Sequence, residues 1–108
     1  MEAHKIIITG GATRIGAAIA KKLSGPNKEI LIHYNKSKVK AETQKKELEK
    51  NGTKVYLVKA DLSKETDVNK IVKFAKSKLK YFDCLINNAS LFENDSLKNF
   101  SSKSWNQH

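Results

Sequence analysis

Three consecutive isoleucines, Ile6, Ile7 and Ile8, have no polar residue between them and predict a short strand over Lys5–Thr9 that is covered on both faces. A glycine-rich turn, Thr9-Gly10-Gly11-Ala12-Thr13-Arg14-Ile15-Gly16, follows at once. Ile15, Ala18, Ile19 and Leu23 then recur at helical spacing, and Gly25-Pro26 supplies a stop. Glu29 to Tyr34 repeats the strand pattern with Ile30, Leu31 and Ile32. The lysine-rich segment from about Ser37 to Lys50 predicts a weakly amphipathic helix with Val39, Ala41 and Leu48 facing inward, and Asn51-Gly52 ends it. Lys54 to Lys59 reads as a third strand, and Asp61-Leu62-Ser63 as a loop. In the helix that follows, Val68, Ile71, Val72, Ala75 and Leu79 form the best apolar stripe in the chain. Asp83 to Asn87 is a fourth strand, and Leu97 onward, with Phe100 and Trp105, begins a fourth helix.

Strands that alternate with helices of this length require right-handed crossovers and a parallel sheet. The expected fold is α/β: a Rossmann-like doubly wound sheet with strands in the spatial order 3-2-1-4. Strand four looks buried on both faces, yet in this order it forms an edge, which natural domains usually cover. Residues 1–108 are therefore expected to be the N-terminal part of a single, longer domain whose later strands are missing.

Composition narrows the class. Apolar residues make up 39% and charged residues 30% of the chain, with one proline, so a packed core is expected rather than disorder. The longest apolar run is far short of the roughly 20 residues a membrane span needs, and the N-terminus lacks a signal-peptide pattern, so a cytoplasmic protein is expected. The formal charge of +10 invites a polyanion. The lysines, however, are spread through many segments, alternate with glutamates and lack interleaved aromatics that stack bases, which argues against a specific nucleic-acid partner. Cys84 is the only cysteine; it excludes an internal disulfide and a cysteine-rich zinc site, and its apolar neighbours favour a buried, inert thiol. No metal site is expected.

The glycine turn lies between an apolar strand and an amphipathic helix, where a doubly wound fold holds the pyrophosphate of a dinucleotide. Gly10 and Gly16 permit the tight turn and close helix–strand approach, while the helix start at Ile15 offers free N–H groups and positive partial charge. Arg14 is the only arginine beside twenty lysines, and its planar fork of donors suits phosphate oxygens. At the end of strand two, where an NAD-binding protein places an Asp or Glu, the chain reads His33-Tyr34-Asn35-Lys36-Ser37-Lys38 with no carboxylate. Two hydrogen bonds to a charged 2′-phosphate there would favour NADP(H) by about 3 to 6 kcal/mol, on the order of 10² to 10⁴ in affinity. Asp61, with Leu62 beside it, follows strand three; its carboxylate suits either the adenine amino group or a cap on the next helix, for which Ser63 is an equal candidate. Asn87-Asn88-Ala89-Ser90 closes strand four and points into the same crevice.

Together these residues resemble the front half of a short-chain dehydrogenase/reductase. A Thr-Gly-x-x-x-Gly-x-Gly turn, an Asp after strand three and an Asn-Asn-Ala-Gly segment after strand four occur in that family in this order. The resemblance spans essentially the whole chain. Arg14 stands where the middle glycine is usual, and Ser90 where the glycine after Asn-Asn-Ala is usual. Both departures, with His33–Ser37, resemble the pteridine reductase branch, which reduces pterins or folates with NADPH. The resemblance implies that Arg14 contacts cofactor phosphate, that the segment from His33 to Ser37 holds the 2′-phosphate, that Asn88, Ala89 and Ser90 flank the cofactor, and that Ser90 and Phe92 line the pterin site with the Phe92 ring stacked on the heterocycle. It also implies a homotetramer for the full-length protein.

The family's chemistry requires a Tyr-x-x-x-Lys pair on the helix after strand five. Tyr34 and Lys38 have this spacing but sit at the 2′-phosphate end of the crevice, and neither Tyr56 nor Tyr81 has a lysine four residues later. No catalytic residue is therefore expected among these 108, and the chain alone is expected to be inactive. The expected activity of the whole protein is NADPH-dependent reduction of a pteridine or dihydrofolate-type substrate. The alternatives are a short-chain ketone or 3-oxoacyl reductase and, from another class, a non-catalytic NADP- or polyanion-binding module.

Overall fold

The computed structural model describes residues 4–88. Its elements alternate strictly: β1 (Lys5–Thr9), α1 (Arg14–Leu23), β2 (Glu29–Tyr34), α2 (Lys38–Lys50), β3 (Lys54–Lys59), α3 (Glu65–Leu79) and β4 (Cys84–Asn87). The four strands form one sheet in the order β3-β2-β1-β4, with every pairing parallel. Ile7 aligns with Leu31 on one side and Leu85 on the other, so the isoleucine run lies between two neighbours and is covered above and below. Ile6, Ile7, Ile8, Ile30, Leu31 and Ile32 are all fully buried, as uninterrupted apolar strands require.

Two cores follow from the alternation of side chains across the sheet. One joins Ile7, Leu31 and Val58 to Val68, Ile71, Val72, Ala75 and Leu79, so the whole α3 stripe expected from the sequence is buried. The other joins Ile6, Ile8, Ile30 and Ile32 to Ala20 of α1 and Leu48 of α2. Leu85 packs against the first core and Cys84 and Ile86 against the second.

The inward faces of α1 and α2 differ from the expectation. Gly16 and Ala20 are the buried residues of α1, flanked by half-buried Ile19 and Leu23, whereas Ile15 is 65% exposed and Ala18 is also exposed. The cause is the turn: Gly16 has to face β1, which fixes the rotation of the helix, and positions 16, 19, 20 and 23 then share its inner face. On α2 the buried residues are Ala41, Gln44 and Leu48, and Val39 is 75% exposed because it lies on the opposite side of the helix from Ala41. Neither amide atom of Gln44 has a hydrogen-bond partner. The β4 side chains Cys84, Leu85 and Ile86 are half-buried, not covered on both faces, and Cys84 is thus only a partly shielded thiol. Among the described residues β4 pairs with β1 alone. The helix expected from Leu97 lies outside the described residues.

Candidate functional site

The parallel order places the carboxyl ends of all four strands on one edge of the sheet, and the glycine turn leaves β1 there. Gly10 adopts φ 65°, a backbone conformation that favours glycine. Its carbonyl collects three donors: the Thr13 N–H at 3.2 Å, the Thr13 hydroxyl at 2.8 Å and the Asn88 side-chain amide at 3.0 Å. Thr13 caps α1, its Oγ1 accepting from the Gly16 N–H at 3.1 Å and from Asn88 Nδ2 at 2.8 Å. Asn88 is itself set by β1, its backbone N–H donating to the Thr9 carbonyl at 3.2 Å and the Thr9 hydroxyl at 3.1 Å. Thr9, Thr13 and Asn88 thus clamp the turn from both of its ends. Neither threonine is among the expected site residues, although an N-cap threonine just before a helical pattern is a readable sequence signal.

His33 holds the turn from the other side. Its carbonyl accepts from the Gly11 N–H at 3.0 Å, and its ring Nδ1 accepts from the Gly10 N–H at 3.0 Å. Ring Nε2 lies 2.8 Å from the Ala60 carbonyl, which can only accept, so Nε2 carries the proton and the imidazole is neutral. Both ring nitrogens are occupied within the protein, and the residue is only 3% exposed. Burial lowers its pKa below the ordinary 6.5, and the Ala60 hydrogen bond opposes this only in part.

A neutral, buried imidazole makes stability pH-dependent with a definite sign. The unfolded chain binds a proton at His33 more readily than the folded chain, so this contribution is complete above pH 6.5 and is lost as pH falls below it. The midpoint of urea unfolding is expected to fall from pH 7.5 to pH 5.5, and to fall less in His33→Asn. Equal slopes in the two proteins would exclude His33 as the source.

A cavity of about 440 Å³ opens over these carboxyl ends. Gly10, His33, Tyr34, Asn35, Lys36, Ser37, Leu62 and Asn88, all singled out from the sequence, line it together with Ala12 and Thr13. Arg14 is not in its wall. It lines an adjoining groove of about 880 Å³ between α1 and α2, and Ala12 and Thr13 border both spaces. Gly16 lies beneath the turn, where a Cβ would overlap the Gly10 oxygen, and Ile15 faces solvent beside it. Tyr34 closes β2 and Lys38 opens α2, so this Tyr-x-x-x-Lys spacing falls on the rim rather than on one helix. Ala89, Ser90 and Phe92 lie outside the described residues.

Asp61 is half-buried and does not line the cavity. Its Oδ1 accepts from the Ser63 N–H at 3.0 Å and the Ser63 hydroxyl at 2.7 Å, contacts that hold its carboxyl below the usual carboxylate range. Neither residue caps α3, whose N-cap is Lys64 without a side-chain cap bond; the two close a local turn instead. Asp67, in the first turn of α3, accepts from the Asp61 N–H at 2.7 Å and ties the loop to the helix. Among the described residues, no group of three His, Cys, Asp or Glu side chains is placed to hold a metal, and no helix is long and apolar enough to cross a membrane.

Similarity to known proteins agrees with this architecture. A short-chain dehydrogenase/reductase from a Cladobotryum species, FrzI, is 34% identical over 101 residues, covering 94% of this chain and 39% of that protein. Among solved structures, a short-chain dehydrogenase from Oenococcus oeni matches with a TM-score of 0.71 at 35% identity, covering 80% of this chain and 40% of its own. The FolM alternative dihydrofolate reductase 1 from Brucella canis, solved with NADP, matches with a TM-score of 0.71 at 36% identity, covering 83% of this chain and 36% of its own. The chain spans about two-fifths of the length of these relatives. The short chain dehydrogenase family pattern itself matches residues 4–108, so the clamped glycine turn, the 3-2-1-4 sheet and the crevice above it have a common explanation: the chain belongs to the short-chain dehydrogenase family.

Proposed function

We propose that this chain supplies the cofactor-binding portion of an NADPH-dependent reductase that acts on a pteridine or dihydrofolate-type substrate. The observation that carries the cofactor choice is the crevice rim at Tyr34–Ser37, which offers a hydroxyl, an amide, an ammonium and a second hydroxyl and no carboxylate. A 2′-phosphate fits that donor set, whereas a free ribose diol would lack the acidic partner it usually has. The pyrophosphate fits beside Gly10, which has no side chain to obstruct it, and over the Arg14 and Ile15 amides that open α1 and have no intrahelical acceptor, the Gly16 amide being taken by Thr13. The bound cofactor would supply a hydride; the residues here bind and orient it, Thr13 and Asn88 by fixing the turn, Lys36 and Arg14 by charge. Asp61 follows β3 at the same edge of the sheet, its carboxylate held by the Ser63 N–H and hydroxyl.

The pteridine assignment is supported by Arg14 and Ser90 in the places where the family usually has glycine, and by the 36% identity to a protein described as an alternative dihydrofolate reductase. Assay of the intact protein with NADPH against dihydropteridines, dihydrofolate and 3-oxoacyl thioesters tests it. Turnover confined to the thioesters would exclude the pteridine reading. Arg14→Ala is expected to weaken NADPH binding by about 1.5 to 3 kcal/mol, the worth of a charged hydrogen bond. An unchanged NADPH dissociation constant would remove Arg14 from the phosphate site.

A further inference from the structure

Resting on the cofactor reading above, we infer that His33 is a positioning residue, whose ring Nδ1 sets the Gly10 peptide in the orientation that a bound pyrophosphate requires. A histidine near the carboxyl end of a strand at this edge would ordinarily be read as a phosphate ligand. The geometry assigns His33 a different task, because neither ring nitrogen is left for a ligand.

The argument is one of peptide orientation. Gly10 N–H and Gly11 N–H are successive donors, and both point at His33, one at its ring and one at its own carbonyl. The Gly11 bond is backbone to backbone and survives any side-chain change. The Gly10 bond depends on an acceptor at the Nδ1 position. Without that acceptor the Gly10 N–H loses its partner, and the Thr9–Gly10 peptide is then held through its carbonyl, which accepts from the Asn88 N–H at 3.2 Å, so its direction beside the positive φ of Gly10 is less firmly set. The Nε2–H bond to Ala60 fixes the ring and its tautomer, so β3 is coupled to the turn through β2.

Asparagine and glutamine separate the two halves of this arrangement. Asn Oδ1 reproduces the Nδ1 acceptor and cannot reach Ala60, whereas Gln Nε2 reproduces the Nε2 donor and leaves Gly10 without its acceptor. In the intact protein, titrated with NADPH by nicotinamide fluorescence, His33→Asn is expected to bind within about threefold of the parent and His33→Gln about tenfold or more weaker. Each variant loses one neutral hydrogen bond, so their melting temperatures without cofactor are expected to fall similarly. A purely structural role predicts affinities that follow those melting temperatures instead. Equal NADPH affinities for the two variants, or better retention by the glutamine, would overturn the inference while leaving the cofactor reading intact. Failure of the parent to bind NADPH would overturn that reading and the inference with it. Amide exchange gives a readout that needs no cofactor: Gly10 is expected to exchange at least tenfold faster in His33→Gln with Gly11 unchanged, and equal rates at Gly10 in both variants would also overturn it.

Discussion

Gly16→Ala in the intact protein is expected to weaken NADPH binding by about a hundredfold and to lower stability by roughly 2 kcal/mol, although alanine is the better helix former by ~1 kcal/mol. The added Cβ would overlap the Gly10 oxygen, stand 2.7 Å from Gly11 Cα and lie 3.0 Å from Asn88 Nδ2. Two of these three are main-chain atoms of the turn and cannot move aside as a flexible side chain would. Relief requires α1 to back away from β1, which breaks the Thr13 cap and moves the first-turn amides from the phosphate position. Titration with NADPH alongside a thermal melt checks both parts. Binding within threefold of the parent would show that the helix retreats without disturbing the turn.

Ile7→Ala is expected to cost about 2 to 5 kcal/mol, through lost burial and the cavity left between the sheet and α3. Ile7 is fully buried at the centre of the central strand, in the cluster that contains Leu31, Val58, Ile71 and Leu79. Val39→Ala, at a site 75% exposed, is expected to change stability by less than about 0.5 kcal/mol and serves as the internal contrast. Chemical denaturation of both variants tests this. A loss below about 1 kcal/mol at Ile7 would mean that the core closes around the deletion.

The sequence made the sheet and α3 legible for the same reason: their apolar positions have no competing demand. Three adjacent isoleucines can be satisfied only by burial on both faces, and the α3 stripe serves only packing. Along α1 a second constraint competes, since close approach at Gly16 turns the helix so that Ile15 and Ala18 face outward. A period count cannot see that constraint. On α2 the buried Gln44 displaces Val39 from the inner face, and no apolar pattern would select a glutamine. Most crevice residues were legible because each closes a strand at one edge of the sheet. The role of His33 was not, because it depends on which atoms of Gly10 and Ala60 meet the ring across strands. The position of Arg14 on the α1–α2 groove likewise depends on the helix's rotation, which its spacing alone leaves open.

The clamp on Gly10 also sets an order of events. Its tie to His33 closes a span of 23 residues and its tie to Asn88 a span of 78, so the turn acquires its final partners only when β4 docks. Long spans are slow to close because chain entropy must be lost before the contact forms. During synthesis, a ribosome-bound chain that ends before Asn88 lacks the Asn88 contacts and has its glycine turn held by His33 and Thr13. The clamped form of the turn is therefore a late product of folding, complete only once the fourth strand is in place.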